Sequence, residues 1–205
     1  MFDIYKTKNI IFDFDGVIVD SNYIKEQSFK ESLSEFNEDL VNKFIKYHRN
    51  NLGIDRYTKI DYFIKSILKS DVNIDKKKIL NNFSRAVKHK ITKKILIKKT
   101  IDFITSNKKI KYYIVSSADE KEIRKICKKL EINDFFLEIL GSPIIKENQI
   151  KNVINTHKLI KKETIYIGDT IHDYNSARKN GIEFYGFNNS ELKDKGLKYI
   201  SNYQF

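Results

Sequence analysis

Short apolar runs alternate along the chain with segments in which apolar residues recur at helical spacing. The runs are rich in β-branched and aromatic residues and stop at glycine, serine or acidic residues, which is typical of buried β-strands. They lie at 10–12, 111–115, 137–140, 164–168 and 182–187. Strands that alternate with helices predict an α/β fold: a parallel sheet with helices on both faces and right-handed crossovers.

The segment that follows the first strand has only helical periodicity. Its apolar stripes comprise Phe29, Leu33 and Phe36, then Leu40, Val41, Phe44 and Ile45, then Ile60, Ile64, Ile67 and Leu68, then Ile79, Leu80, Phe83 and Val87. We therefore predict a Rossmann-like core domain formed by residues 1–20 and 91–205, and an all-helical domain, residues 21–90, inserted after the first strand. A chain of 205 residues is long enough for one such core and one insertion.

Two helix starts in the core can be predicted from local signals. Ser117 and Glu120 have the spacing of a capping box, so a helix is expected directly after the strand at 111–115. After the strand at 164–168, residues 174–180 are predicted to form a helix that Gly181 closes. A helix and a short edge segment are expected beyond Asn188.

A polar stretch, Tyr47–Tyr57, interrupts the helical pattern of the insertion and contains Arg49, Gly53 and Arg56. One interpretation is an ordinary connection between helices, with Asp55 as part of a cap. The other is a substrate loop, because arginine forks and tyrosine hydroxyls suit a polyhydroxylated or anionic ligand. The sequence leaves both open, and Arg49 and Arg56 are candidate substrate-binding residues.

Composition limits the class of protein. Apolar residues make up 40% of the chain and charged residues 32%, a balance that argues against disorder. We find no basic-then-apolar leader and no apolar run of about 18 residues, so we expect a soluble, cytoplasmic protein. The single cysteine, Cys127, cannot form an internal disulfide, and it lies on an apolar helical stripe, which favours core packing.

The formal net charge of +12 invites a nucleic-acid or anionic-ligand interpretation. The lysine clusters are short and scattered and lack interleaved aromatic residues, which favours a solvated surface. A nucleic-acid-binding protein is kept as the non-enzyme alternative; salt-dependent binding to generic nucleic acid would support it.

Polar residues follow the predicted strands directly. They are Asp13 and Asp15 after the first strand, Ser116 after the second, Lys146 after the third, and Asp169 and Asp173 after the fourth. Ligands bind at the carboxyl ends of the strands in parallel sheets, so we expect these side chains to converge at one edge. Taken alone, Asp13–Gly16 would also suit a strand followed by an Asx–Gly turn.

The converging residue types suit phosphoryl transfer. Asp13, Asp15 and Asp169 could bind Mg²⁺, which prefers oxygen ligands, while Ser116 and Lys146 could contact phosphate oxygens. Because no Ser–His pair or glycine-rich phosphate loop is present, a carboxylate is the remaining candidate nucleophile.

These motifs resemble those of the haloacid dehalogenase-like phosphatases. The match comprises Asp13-Phe14-Asp15-Gly16-Val17, Ser116 after an apolar strand, Lys146 in a following loop, and Gly168-Asp169-Thr170-Ile171-His172-Asp173. They occur in the family's order and at its spacings, and the helical insertion resembles the family's helical cap. The resemblance therefore covers nearly the whole chain.

The resemblance implies a role for each matched residue. Asp13 would be the nucleophile and a metal ligand, and Asp15 the general acid and then base, its backbone carbonyl also binding Mg²⁺. Ser116 and Lys146 would hold the phosphoryl group, with Ser117 a further candidate phosphate contact. Asp169 would bind the metal directly or through water, and Asp173 would support the metal site or orient Lys146.

The resulting expectation is a Mg²⁺-dependent phosphatase that hydrolyses a small phosphate monoester, such as a sugar phosphate, through an aspartyl-phosphate. Asp15 favours phosphate esters over carbon–halogen bonds, because a leaving alkoxide needs a proton and a halide does not. A phosphoglycolate phosphatase and a β-phosphoglucomutase-like phosphomutase are the alternatives. The related mutases tend to have histidine where this chain has Lys25, which makes mutase chemistry the weaker alternative. A phosphorylated metabolite is the expected partner, with no nucleic acid or membrane, and the protein is expected to be a monomer or homodimer.

Overall fold

The computed structural model describes residues 6–69 and 74–203. Within them, six parallel strands form one sheet in the order β3-β2-β1-β4-β5-β6. The strands are β1 (Asn9–Phe12), β2 (Lys111–Asp119), β3 (Glu138–Ser142), β4 (Thr164–Gly168), β5 (Glu183–Phe187) and β6 (Tyr199–Ile200). The predicted α/β class with a parallel sheet is confirmed.

The helices divide between the inserted segment and the sheet. The inserted segment contains α1 (Asn22–Ser32), α2 (Glu38–Asn50), α3 (Arg56–Tyr62) and α4 (Lys76–Lys90). The helices that accompany the sheet are α5 (Lys98–Ser106), α6 (Glu120–Lys129), α7 (Lys146–Thr156), α8 (Ile171–Lys179) and α9 (Ser190–Asp194). None of the described helices combines the length and apolar character needed to cross a bilayer.

The chain forms two compact units. One comprises Met1–Asp20 and Lys93–Phe205, and the other comprises Ser21–Thr92. We call the first the sheet unit and the second the helical unit. In the sheet unit the two segments that border the helical unit pair with each other: Asp20 donates its N–H to the Ile95 carbonyl (2.7 Å) and Ile97 donates to the Ile18 carbonyl (3.0 Å).

β1 lies in the interior of the sheet, between β2 and β4. Its apolar residues are fully buried because strands pair with it on both sides: Phe12 lies opposite Ile114 of β2 and Ile167 of β4. The residues that follow Phe12, Ile114 and Ile167 therefore lie side by side toward the carboxyl ends of these strands. This register brings Asp13 next to Gly168, and the Asp13 N–H donates to the Ile167 carbonyl (2.9 Å).

Two predicted helix starts were wrong. β2 continues to Asp119, whose carboxylate caps α6 by accepting the Glu122 N–H (3.0 Å), so the predicted Ser117–Glu120 capping box does not form. α8 begins at Ile171, earlier than predicted, because Thr170 and Asp173 form a capping box there. Asp173 consequently lies in the first turn of a helix, with a fixed orientation.

Phe29 is the centre of the helical unit's aromatic core. Its ring lies 5.1 Å from the Phe44 ring and 4.2 Å from the Phe83 ring, and the His48 ring packs against it at 4.9 Å. These residues come from α1, α2 and α4, the helices predicted from the apolar stripes. α3 is followed by a π-helical turn, Phe63–Leu68.

The connection between α2 and α3 is short. α2 extends through Asn50, and α3 begins at Arg56 after Asp55, whose carboxylate accepts the Thr58 N–H (2.9 Å). The cap function of Asp55 is confirmed, so helix capping accounts for at least this part of the polar stretch.

Candidate active site

Asp13 occupies the first position after β1 and is 5% exposed. Its Oδ1 accepts the Phe14 N–H (2.7 Å), a local bond that orients the carboxylate at the carboxyl end of the strand. Burial raises the pKa of Asp13 to about 7; Lys146 opposes this rise, while Asp173 and Asp15 add to it. A buried carboxylate in this setting favours a positively charged partner.

Lys146 is one such partner. It is the first residue of α7, its side chain is 1% exposed, and its Nζ lies 3.1 Å from Asp13 Oδ1 and 2.5 Å from Asp173 Oδ1. Burial alone would lower the pKa of Lys146, but the carboxylates of Asp13 and Asp173 outweigh burial and raise it. The ammonium is therefore charged at neutral pH and lies between two carboxylates.

Asp173 is fully buried, and four donors surround its carboxylate. Oδ1 accepts from Lys146 Nζ and the Tyr166 hydroxyl (3.2 Å), and Oδ2 accepts from the N–H (3.0 Å) and hydroxyl (2.6 Å) of Thr170. These contacts hold Asp173 rigidly. Of the two roles that the resemblance implies for Asp173, this geometry favours the orientation of Lys146.

Asp169 adds a third buried carboxylate to the same edge. Oxygens of Asp13, Asp169 and Asp173 lie within 4.8 Å of one another. Burial and then the charges of Asp13 and Asp173 raise the pKa of Asp169 well above its ordinary value. Such a group of hard oxygen donors fits a divalent cation, which would reduce the repulsion between them.

We call the loop after β1, which contains Asp13 and Asp15, and the loop after β4, which contains Asp169, the acidic loops. Their close packing requires glycine at position 16. Gly16 has a φ of 77°, and a Cβ placed on it would lie 2.0 Å from Asp169 Oδ2. A larger residue would collide with the Asp169 side chain and would also strain the backbone.

Ser116 follows the β2 residues that pair with β1, and it is 1% exposed. Its Oγ accepts the Ala118 N–H (3.2 Å). Gln149 holds its backbone on both sides: Ser116 N–H donates to Gln149 Oε1 (3.2 Å), and Gln149 Nε2 donates to the Ser116 carbonyl (3.1 Å) and the Ile144 carbonyl (2.6 Å). Gln149 thus ties Ser116 to the loop that leads into Lys146.

Asp15 and Ser117 are half-buried residues of the same loops. The Asp15 backbone forms an isolated bridge with Val19, and its charge contributes to the raised pKa of Asp13. The predicted phosphate contact of Ser117 stays a prediction.

Arg49 and Arg56 belong to the helical unit, where both have partners. Arg49 forms two hydrogen bonds to the Glu26 carboxylate (2.7 and 2.8 Å). Arg56 donates to Ser84 Oγ (2.9 Å), and its guanidinium lies over the ring of Phe83, 5.6 Å from the centroid. Their predicted role in substrate binding stays a prediction.

Sequence reasoning missed Tyr166 and Gln149. Tyr166 is a fully buried residue of β4 whose hydroxyl contacts the Val115 carbonyl (3.0 Å) as well as Asp173. In the sequence it looks like any aromatic residue of an apolar strand. Gln149 is a buried polar residue on the stripe of α7, and that mismatch with its apolar neighbours is the one signal that could have revealed it.

The fold and the site define a class of protein: an α/β protein with a buried lysine and a carboxylate cluster at the carboxyl ends of the strands of a parallel sheet. A sequence model described as haloacid dehalogenase-like hydrolase matches residues 10–187. The chain belongs to this family.

Solved structures are similar over almost the full chain. A predicted phosphatase from Clostridium acetobutylicum is 21% identical, with a TM-score of 0.73 and coverage of 96% of this chain and 94% of that one. β-Phosphoglucomutase from Clostridium difficile is 17% identical, with a TM-score of 0.76 and coverages of 96% and 91%. A predicted phosphoglycolate phosphatase from Haemophilus somnus is 18% identical, with a TM-score of 0.72 and coverages of 98% and 96%. At these identities the likeness establishes a shared fold. No curated protein sequence matches significantly.

Proposed function

We propose that the protein is a Mg²⁺-dependent phosphatase that hydrolyses a small phosphate monoester, such as a sugar phosphate, through an aspartyl-phosphate on Asp13. The observation that carries this proposal is the Asp13–Lys146–Asp173 arrangement beside Asp169 and Ser116. It combines a buried carboxylate, a charged ammonium and a cluster of hard oxygen donors at one sheet edge.

The residues at this edge fit Mg²⁺. Asp13 and Asp169 would hold the ion with the backbone carbonyl of Asp15, and Asp173 would support it indirectly while it orients Lys146. When bound, Mg²⁺ supplies positive charge that stabilises phosphoryl oxygens and neutralises the carboxylates.

The chain's own residues account for both halves of the reaction. A carboxylate oxygen of Asp13 attacks phosphorus as the ester P–O bond breaks, and Asp15 donates a proton to the departing oxygen. Asp15, now a carboxylate, takes a proton from a water molecule that attacks the same phosphorus. The bond between phosphorus and Asp13 then breaks, and inorganic phosphate leaves.

Lys146 and Ser116 would hold the phosphoryl oxygens throughout. Lys146 directs two of its three N–H groups to Asp13 and Asp173, which leaves the third for the phosphoryl group. We also propose that the helical unit, with Arg49 and Arg56, is the cap that selects the substrate.

A phosphate-release screen tests this function. Sugar phosphates, nucleotides and phosphoglycolate are offered with Mg²⁺ or with EDTA, and the products are separated so that an isomerised sugar phosphate is detected. We expect Mg²⁺-dependent release of phosphate from at least one ester, and Asp13→Asn to reduce turnover by about a thousandfold or more.

Asp102→Asn is the matched control, because Asp102 is an exposed aspartate of α5 that pairs with Lys98. It should retain wild-type turnover. Wild-type turnover by Asp13→Asn would overturn the nucleophile assignment, and accumulation of an isomer in place of phosphate would identify a mutase.

A further inference from the structure

We propose that Asn188 and Asn189 are positioning residues that hold the loops after β1 and β4 at the spacing that the cation site requires. Both residues directly follow β5. This inference rests on the proposed function, because it concerns the Mg²⁺ site of that reaction.

Each asparagine donates to the backbone of a different acidic loop. Asn188 Nδ2 donates to the Gly16 carbonyl (3.0 Å), in the loop that contains Asp13 and Asp15. Asn189 Nδ2 donates to the Asp169 carbonyl (2.7 Å). Two neighbouring residues on one loop therefore hold both acidic loops.

The order of the strands shows that the Asn188 bond connects loops of strands that are not neighbours in the sheet. β5 pairs with β4 but not with β1, which lies on the other side of β4. The Asn188 side chain therefore reaches past the β4 loop to contact Gly16. Asn188 has a φ of 55°, in the left-handed region that asparagine tolerates better than most residues.

The loops need such a restraint because their charges repel. Asp13, Asp15 and Asp169 are carboxylates on two adjacent loops. Asp13 and Asp169 are each 5% exposed, so water screens their repulsion only weakly. Gly16 and Asp169 are already in close contact, so a small separation of the loops would move the carboxylates relative to one another. The asparagine bonds oppose that separation and pre-organise the site for a cation.

Asn189 has a second function that the experiment must separate from the first. Its Oδ1 accepts the Glu191 N–H (3.1 Å) and thereby caps α9. Asn189→Ser keeps an oxygen suited to the cap, but its side chain is too short to reach the Asp169 carbonyl. Asn189→Ala removes both contacts.

The test measures Mg²⁺ binding directly, by calorimetric titration of the full chain with MgCl₂. Loss of one hydrogen bond should raise the Mg²⁺ dissociation constant roughly fivefold in Asn189→Ser. Asn188→Gly tolerates the left-handed backbone and should give a smaller increase, because Asn188 is exposed and Asn189 half-buried. In both variants kcat at saturating Mg²⁺ should approach the wild-type value.

Asn107→Ala is the matched control. Asn107 also donates its Nδ2 to a backbone carbonyl, that of Phe103 (2.8 Å), but it precedes β2 at the opposite edge of the sheet. This variant should lose thermal stability without a change in Mg²⁺ affinity. An unchanged dissociation constant in Asn189→Ser, or a change only in Asn189→Ala, would overturn the inference, because the effect would then be absent or due to the cap.

The outcomes also separate this inference from the proposed function. If wild-type protein binds Mg²⁺ and releases phosphate while the asparagine variants bind Mg²⁺ equally well, only the positioning role is wrong. If wild-type protein neither binds Mg²⁺ nor releases phosphate, the proposed function is wrong and the inference fails with it.

Discussion

Lys146 shows how neighbouring side chains determine the charge and the position of a residue in the site. Lys146 is the first residue of α7, and the positive end of a helix dipole disfavours a nearby cation. Asp13 and Asp173 provide the compensating charge at 3.1 and 2.5 Å. The lysine is therefore held by the acids around it, and its position depends on Asp173, which Thr170 and Tyr166 orient in turn.

The proposed role of Asp15 leads to a prediction that depends on the leaving group. Asp15→Asn should slow the first turnover of an alkyl phosphate by about 10²–10⁴-fold, because the alkoxide must be protonated as it leaves. p-Nitrophenyl phosphate has a good leaving group, so its first turnover should be much less affected. The second half-reaction still lacks its base, so aspartyl-phosphate should accumulate.

Rapid mixing of Asp15→Asn with p-nitrophenyl phosphate tests whether aspartyl-phosphate accumulates. We expect a burst of p-nitrophenol that approaches one equivalent per enzyme. Asp13→Asn serves as the control and should give no burst. An equal loss of first-turnover rate for both substrates would contradict the assignment of Asp15 as the general acid.

At the scale of elements, the ends of β1, β4 and β5 were predicted correctly, whereas the end of β2 and the starts of α6 and α8 were not. A buried strand must be apolar, so the change to polar residues after Phe12 and after Gly168 was visible in the sequence. The start of α6 was not, because Ser117 and Asp119 are both good caps and only the extension of β2 selects Asp119. Contacts between distant elements, such as Asn188 with Gly16, leave no periodic signal at all.

The helical unit contains a buried histidine that supports a stability prediction. His48 of α2 is 3% exposed, and its Nδ1 lies 2.9 Å from Lys59 Nζ, so it accepts a hydrogen bond in its neutral form. Burial, followed by the charges of Lys59 and Lys25, lowers its pKa to about 3 despite the nearby Glu26 carboxylate; Arg49 contributes a further small lowering.

Because the pKa of His48 is lower in the folded protein, the unfolded chain binds the extra proton between about pH 6.5 and 3. The stability associated with neutral His48 is present above pH 6.5 and is lost as the pH falls. At pH 5 the loss should be about 2 kcal/mol relative to pH 7. His48→Gln keeps an acceptor for Lys59 but cannot titrate, so its stability should fall less over this range.

Urea denaturation of the full chain at pH 7 and pH 5 measures the free energy of unfolding of the wild type and of His48→Gln. His89→Gln is the matched control, because His89 is an exposed histidine of α4 in the same unit. It should show the wild-type dependence on pH. Identical dependence in His48→Gln would mean that His48 is not kept neutral by its surroundings.

At the scale of the whole molecule, charge is distributed unevenly. The chain carries a net charge of +12, yet three buried aspartates lie close together at the sheet edge. A generally positive surface attracts phosphorylated anions over a distance of about one Debye length. In the proposed function, a bound cation would offset the negative charge of the acidic cluster. Net charge alone therefore indicated an anionic ligand but not the chemistry at the site.

Ionisation of the buried carboxylates should lower the free energy of unfolding of the whole protein. An unfolded aspartate ionises near its ordinary pKa of 3.8, whereas burial raises the pKa of folded Asp13 to about 7. The folded state thus binds more protons between these values, and the contribution of Asp13 to stability falls as the pH rises through this window. Without metal, Asp13→Asn should therefore raise the melting temperature at pH 8, where wild-type Asp13 is ionised, and raise it less at pH 5.

At pH 8, Mg²⁺ should make the melting temperature of the wild type higher than that of Asp13→Asn. A cation that binds the folded carboxylates stabilises the wild type by mass action, and the variant has lost one of those ligands. Thermal unfolding in EDTA and in excess MgCl₂ at both pH values measures this, with Asp102→Asn as the control for loss of an exposed aspartate. A gain in melting temperature for Asp13→Asn that is the same at pH 5 and pH 8 would show that the ionisation of Asp13 does not limit stability. A larger gain at pH 8, abolished by Mg²⁺, would mean that the charge needed for attack on phosphorus is also the charge that destabilises the metal-free fold.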